Sequence, residues 1–130
     1  MTHRESPLVL VADDEEDIRA LVAFRLKRAG YDVITAADGE EALLLATTRL
    51  PDLAVLDMMM PKATGLEVTH SMREQAATKD IPVILLTARA QEVDVQRGFE
   101  AGADDYVKKP FSPQDLQARV HALLERSAAS

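Results

Sequence analysis

The chain has no cysteine and no tryptophan, and aromatic residues make up only 4% of its 130 residues. Without cysteine it can build no disulfide framework, thiolate zinc site or thiol nucleophile, which suits a reducing compartment and points to a cytoplasmic protein. Basic residues are also short: 15 Lys and Arg face 22 Asp and Glu, for a formal charge of −7. That balance argues against direct nucleic-acid binding, which needs a basic face to neutralise phosphates. Long apolar runs are missing as well. Nothing approaches the ~20 residues of a membrane helix, so no membrane association is expected. The N-terminus, Met1-Thr2-His3-Arg4-Glu5, leads into too short an apolar run for a signal-peptide core. The length is that of one domain. Its core is expected at about 8–125, with 1–6 and 127–130 frayed.

Short apolar runs alternate with longer amphipathic stretches. Leu8 to Ala12, Tyr31 to Ala36, Leu53 to Leu56, Val83 to Leu86 and Asp105 to Lys108 read as strands, rich in branched residues and bounded by Pro, Gly or Asp. Most lack polar alternation, as strands buried on both faces of a parallel sheet do. Tyr31 to Ala36 alternates and should be less buried.

The stretches between read as helices. Ile18, Leu21, Val22 and Leu26 share helical spacing before Gly30. Asp38 with Glu41 resembles a capping box, and Thr64 with Glu67 is one. Gly102 is placed to end the fourth helix, and Ser112-Pro113 to open the fifth, whose apolar stripe is Leu116, Val120, Leu123 and Leu124. Strict β–α alternation at this length implies an α/β fold: a doubly wound, five-stranded parallel sheet with helices on both faces.

In such sheets ligands bind beyond the carboxyl ends of the strands. Asp13 and Asp14 follow the first strand, Asp57 ends the third, Thr87 the fourth, and Lys108-Lys109-Pro110 the fifth. Singly these are ordinary residues: an Asp after a strand often caps a helix, and Glu15, Glu16 and Asp17 favour a helix N-terminus through its dipole. The Met58 to Met60 run suits packing. Their conjunction on one rim is what points to chemistry. Three close carboxylates repel unless a hard dication such as Mg²⁺, with Mn²⁺ as a substitute, neutralises them. With one lysine added, the site would be near neutral and suited to an anion. Asp is a nucleophile toward phosphorus, forming an aspartyl phosphate.

These residues resemble the receiver domain of bacterial two-component response regulators. The likeness runs from about Leu8 to Glu125. It rests on Asp13-Asp14, on Leu56-Asp57-Met58-Met59-Met60-Pro61 with Gly65, on Thr87-Ala88, and on Gly102 to Phe111. The resemblance implies a sheet order of 2-1-3-4-5 and Mg²⁺-dependent phosphorylation by a sensor histidine kinase, in a regulatory protein that is not an enzyme in the ordinary sense. Asp57 matches the phosphoacceptor. Asp14 matches the direct metal ligand, Asp13 the ligand acting through water, and the Met59 backbone carbonyl the third protein ligand. Lys109 matches the lysine that pairs with the phosphoryl group and Thr87 the hydroxyl that bonds it, with Tyr106 turning inward to follow. That movement reshapes the face of the fourth helix, fifth strand and fifth helix, which signals to an output domain or downstream protein. The Lys109–Pro110 bond would be cis.

Two positions depart from uniform family chemistry. Met59 and Arg89 occupy sites that tune phosphoryl lifetime, so Met59→Asn or Arg89→Ala should change dephosphorylation without abolishing phosphorylation. Asp104 to Arg119 resembles the winged-helix transcription-factor subfamily, whose receivers form homodimers through the same face. There Asp105 with Arg119, and Glu100 with His121, would pair between subunits. Val95 stands where a basic partner for Asp115 is usual, which weakens that route. A kinase is expected to dock near the first helix, on a side including Arg19 and Lys27. A flavin-binding module of this fold should carry a Ser/Thr/Gly-rich phosphate loop, and here that loop is acidic. An aspartyl-phosphate phosphatase wants a second carboxylate two residues after Asp57, and here stands Met59. The remaining alternative is a receiver-like scaffold that is never phosphorylated.

Overall fold

The computed structural model describes residues 6–88 and 92–129. Five strands, β1 (Leu8–Ala12), β2 (Asp32–Ala36), β3 (Leu53–Asp57), β4 (Val83–Thr87) and β5 (Asp105–Lys108), alternate with five helices. The helices are α1 (Glu16–Arg28), α2 (Gly39–Arg49), α3 (Gly65–Arg73), α4 (Glu92–Glu100) and α5 (Pro113–Ala129). All strand pairs are parallel, in the order β2-β1-β3-β4-β5. The expected α/β doubly wound sheet is therefore the observed one.

Alternation along each buried strand divides the core in two. Leu10, Leu56 and Leu85 face Ala42 and Ala46 of α2 and Val68 and Met72 of α3. Val9, Val11, Val55 and Leu86 face Val22 and Leu26 of α1 and Leu116, Val120 and Leu123 of α5. Each fully buried Leu or Val contributes about 1.5–3 kcal/mol. The edge strand β2 is only partly covered, as its alternation predicts.

The helix signals act mostly as read. Thr64 and Glu67 form a reciprocal capping box. Asp38 accepts from Glu41 N at 2.8 Å, but Glu41 Oε1 reaches back to Ala37 N instead of Asp38 N. Gly102 closes α4 with φ +105°, and its N–H donates to Phe99 O at 3.0 Å. One expectation needs correction. Leu21 is 48% exposed, and Ala23 takes its place on the buried face of α1. The i, i+3, i+4 pattern also fits a face turned by one residue, with Val22 and Leu26 common to both. The α5 helix runs to Ala129. Residues 1–5 and Ser130 lie outside the described residues.

Candidate functional site

Three strand ends meet at the carboxyl rim of the sheet. Register sets Asp57 beside Leu86 and Thr87 beside Lys108. Beyond the strands, Met58 N donates to Leu86 O and Lys109 N to Thr87 O, both at 2.7 Å. The loops after β3 and β5 are thus both tied to the end of β4. The peptide bond between Lys109 and Pro110 is cis.

Asp13 is fully buried and works in two directions. Its Oδ1 accepts from Glu15 N at 2.9 Å, the cap-like role, and its Oδ2 lies 3.0 Å from Lys109 Nζ. That second oxygen makes an ion pair but has no partner in hydrogen-bonding geometry. Lys109 Nζ lies 3.4 Å from Asp57 Oδ1 and 3.3 Å from Glu15 Oε1. Burial alone would lower the Lys109 pKa, but its close pairing with the Asp13 carboxylate and the charge of Asp57 outweigh this and raise it. The Asp57 carboxyl is pushed up to about 7, first by burial and then by the Asp13 charge, with Lys109 opposing. Asp57 therefore holds a proton readily while nothing further neutralises the cluster.

Asp14 is exposed at the rim, and Asp13, Asp14 and Asp57 offer carboxylate oxygens that all lie within 4.8 Å of one another. Hard oxygen donors, an excess of negative charge and a buried carboxylate oxygen lacking a hydrogen bond fit a divalent cation of the Mg²⁺ class. Met59, two residues after Asp57, is 56% exposed.

Thr87 is buried, and its hydroxyl donates to Met58 Sδ at 3.7 Å. Tyr106 is partly buried, and its ring edge lies 3.1 Å from where a Cβ on Gly98 would stand, so α4 lies close against it. The expected intersubunit residues are engaged within one chain. Arg119 Nη1 donates to Asp105 Oδ1 at 2.8 Å, and its Nε donates to Asp115 Oδ2 at 3.0 Å. His121 meets Tyr31 Oη and Glu125, both at 3.1 Å, while Glu100 accepts from Gln96. Arg19 is not simply an exposed docking residue: it is half-buried and donates to Asp13 O at 2.9 Å, whereas Lys27 is exposed. Arg89 and the side chain of Val95 lie outside the described residues.

Two features were beyond sequence reasoning. Glu15 reaches Lys109 across the whole chain. Arg73 donates to Gly102 O, Ile81 O and Asp104, bracketing the end of α3 to the turns beside β4 and β5. Neither long-range contact leaves a local pattern.

A family model described as the response regulator receiver domain matches residues 9–121. The alkaline phosphatase synthesis transcriptional regulatory protein PhoP of Bacillus subtilis is 54% identical over 119 residues, which are 92% of this chain and 49% of that protein. The probable transcriptional regulator ycf27 of Cyanophora paradoxa is 50% identical, over 92% of this chain and 48% of its own length. The chain thus spans about half the length of these relatives. Among solved structures, the Francisella response regulator 1452 receiver domain superposes with a TM-score of 0.89 at 38% identity, covering 94% of this chain and 99% of that one. The Vibrio cholerae chemotaxis protein CheY4 gives 0.86 at 36% identity, covering 91% and 98%.

Proposed function

The chain belongs to the response regulator receiver domain family, and on that premise we propose that Asp57 accepts a phosphoryl group from a sensor histidine kinase. The observation that carries this reading is the convergence of Asp13, Asp57 and Lys109 from three strand ends, the ammonium 3.0 Å from one carboxylate and 3.4 Å from the other. A carboxylate oxygen of Asp57 attacks phosphorus, the bond from phosphorus to the donor imidazole nitrogen breaks, and its electron pair stays on the imidazole. Such transfer needs positioning and charge neutralisation more than covalent help. Lys109 supplies a fixed positive charge beside Asp57. The Thr87 hydroxyl exchanges its weak thioether acceptor for a phosphoryl oxygen, a stronger, charged one.

Receiver domains bind Mg²⁺ at an acidic aspartate cluster. Here Asp13, Asp14, Asp57 and the Met59 carbonyl would hold it, and the bound ion would offset the negative charge that phosphoryl transfer gathers there. Met59 and Arg89 are read as the residues that set how fast water removes the phosphoryl group.

Withdrawal of the Thr87 hydroxyl opens space that Tyr106 follows, and Gly98 carries the change into α4. The α4/β5/α5 face then signals to an output domain or partner, and dimerisation is one form this output can take. For that, Arg119 and Asp105 must trade their bond within the chain for one between copies. The whole chain, 1–130, is read as one receiver unit acting in the cytoplasm.

Incubation with acetyl phosphate and Mg²⁺ tests the reading by intact mass. One phosphoryl adduct on the wild type, absent without Mg²⁺ and absent from Asp57→Asn, is expected. No adduct on the wild type would favour a non-phosphorylated interaction scaffold.

A further inference from the structure

Glu15 stands at the N-cap of α1, where short side chains such as Ser, Thr, Asp and Asn are favoured because they reach back to the first helical amides. Its side chain makes no such bond. It crosses instead to the end of β5, where Oε1 lies 3.3 Å from Lys109 Nζ. Lys109 therefore faces three carboxylates: Asp13 at 3.0 Å, Glu15 at 3.3 Å and Asp57 at 3.4 Å. Two of these are buried at strand ends. The Glu15 side chain is 60% exposed and can swing into solvent.

We propose that Glu15 is a positioning residue that competes with the incoming phosphoryl group for Lys109 and thereby slows phosphoryl acceptance. The proposal rests on the reading of Asp57 as phosphoacceptor. An ammonium shared among three carboxylates offers less to a fourth anion. A phosphoryl donor carries negative charge into a site where Asp13, Asp14, Glu15 and Asp57 already outnumber Lys109. Glu15 must either yield the ammonium or repel the donor, and both raise the barrier. Because Glu15 is exposed and screened, it acts as a brake of about three- to tenfold, not as a block.

The experiment measures the second-order rate of phosphorylation by acetyl phosphate, with Mg²⁺, for wild type, Glu15→Gln and Glu16→Gln. Glu16 is the next acidic residue of α1 and has no contact with Lys109 among the described residues. Both variants remove one charge from the same helix turn. Faster phosphorylation of Glu15→Gln, by about three- to tenfold, with Glu16→Gln near wild type, is the expected result. The gain should shrink as ionic strength rises, and the thermal midpoints of the three proteins should agree, which a merely structural role would not produce. Equal rates for Glu15→Gln and wild type, or the same gain from Glu16→Gln, would overturn the proposal while leaving Asp57 phosphorylation intact. A wild type that takes up no phosphoryl group at all would remove the underlying reading, and this proposal with it.

Discussion

Lys109 Nζ lies 3.4 Å from Asp57 Oδ1, two groups that meet only because β3 and β5 flank the same end of β4. Neither charge sits there without consequence for the other. The lysine partly offsets a burial cost that pushes the Asp57 carboxyl up to about 7.

A pH dependence follows from that shift. In the unfolded chain the carboxyl returns to about 3.9. Between that value and about 7 the native state binds the proton and the unfolded chain does not, so stability falls as pH rises through this window. Metal-free Asp57→Asn lacks the effect. Above pH 7 it should be more stable than the wild type by at least about 1 kcal/mol, and near pH 4 the advantage should vanish. Urea unfolding in chelator near pH 4 and at pH 8 measures both. A difference that does not change with pH would contradict the assignment.

Gly65 opens α3 against the back of the site. A Cβ there would lie 2.5 Å from Asp57 O and 3.0 Å from Met58 Cα, both backbone atoms that cannot swing aside. Gly65→Ala should cost about 1–3 kcal/mol and slow phosphorylation by moving the Asp57 backbone. Chemical unfolding and the acetyl phosphate rate together check this. Wild-type values for both would show that the loop yields freely.

Arg119 is committed to Asp105 and Asp115 within its own chain, at a half-exposed position. Arg119→Ala should cost the monomer less than about 1 kcal/mol. If phosphorylation drives dimerisation through this face, the same change should abolish the dimer. Sedimentation of wild type and variant with and without acetyl phosphate reads both forms. A phosphorylated dimer that survives the substitution would place the interface elsewhere.

The site was more legible in the sequence than its wiring. Asp13, Asp57, Thr87 and Lys109 each follow or end a short apolar run, and in a parallel sheet all such ends fall on one rim. Which face of α1 packs was less legible, because Leu21 and Ala23 both satisfy a helical period next to Val22. The bond from Glu15 to Lys109 and the Arg73 bracket join distant segments, and no local rule registers them. Asp105 opens β5 and Arg119 lies in α5, and their pairing within the chain joins two elements across the intervening loop, which no local pattern registers.

Locating the phosphoryl group on the chain tests the central claim most directly. Acyl phosphates are reduced by borohydride to the corresponding alcohol, so a phosphorylated Asp becomes homoserine and can be placed by peptide mass. After acetyl phosphate and Mg²⁺, homoserine is predicted at position 57 alone. Homoserine at Asp13 or Asp14 with Asp57 unchanged would contradict the account.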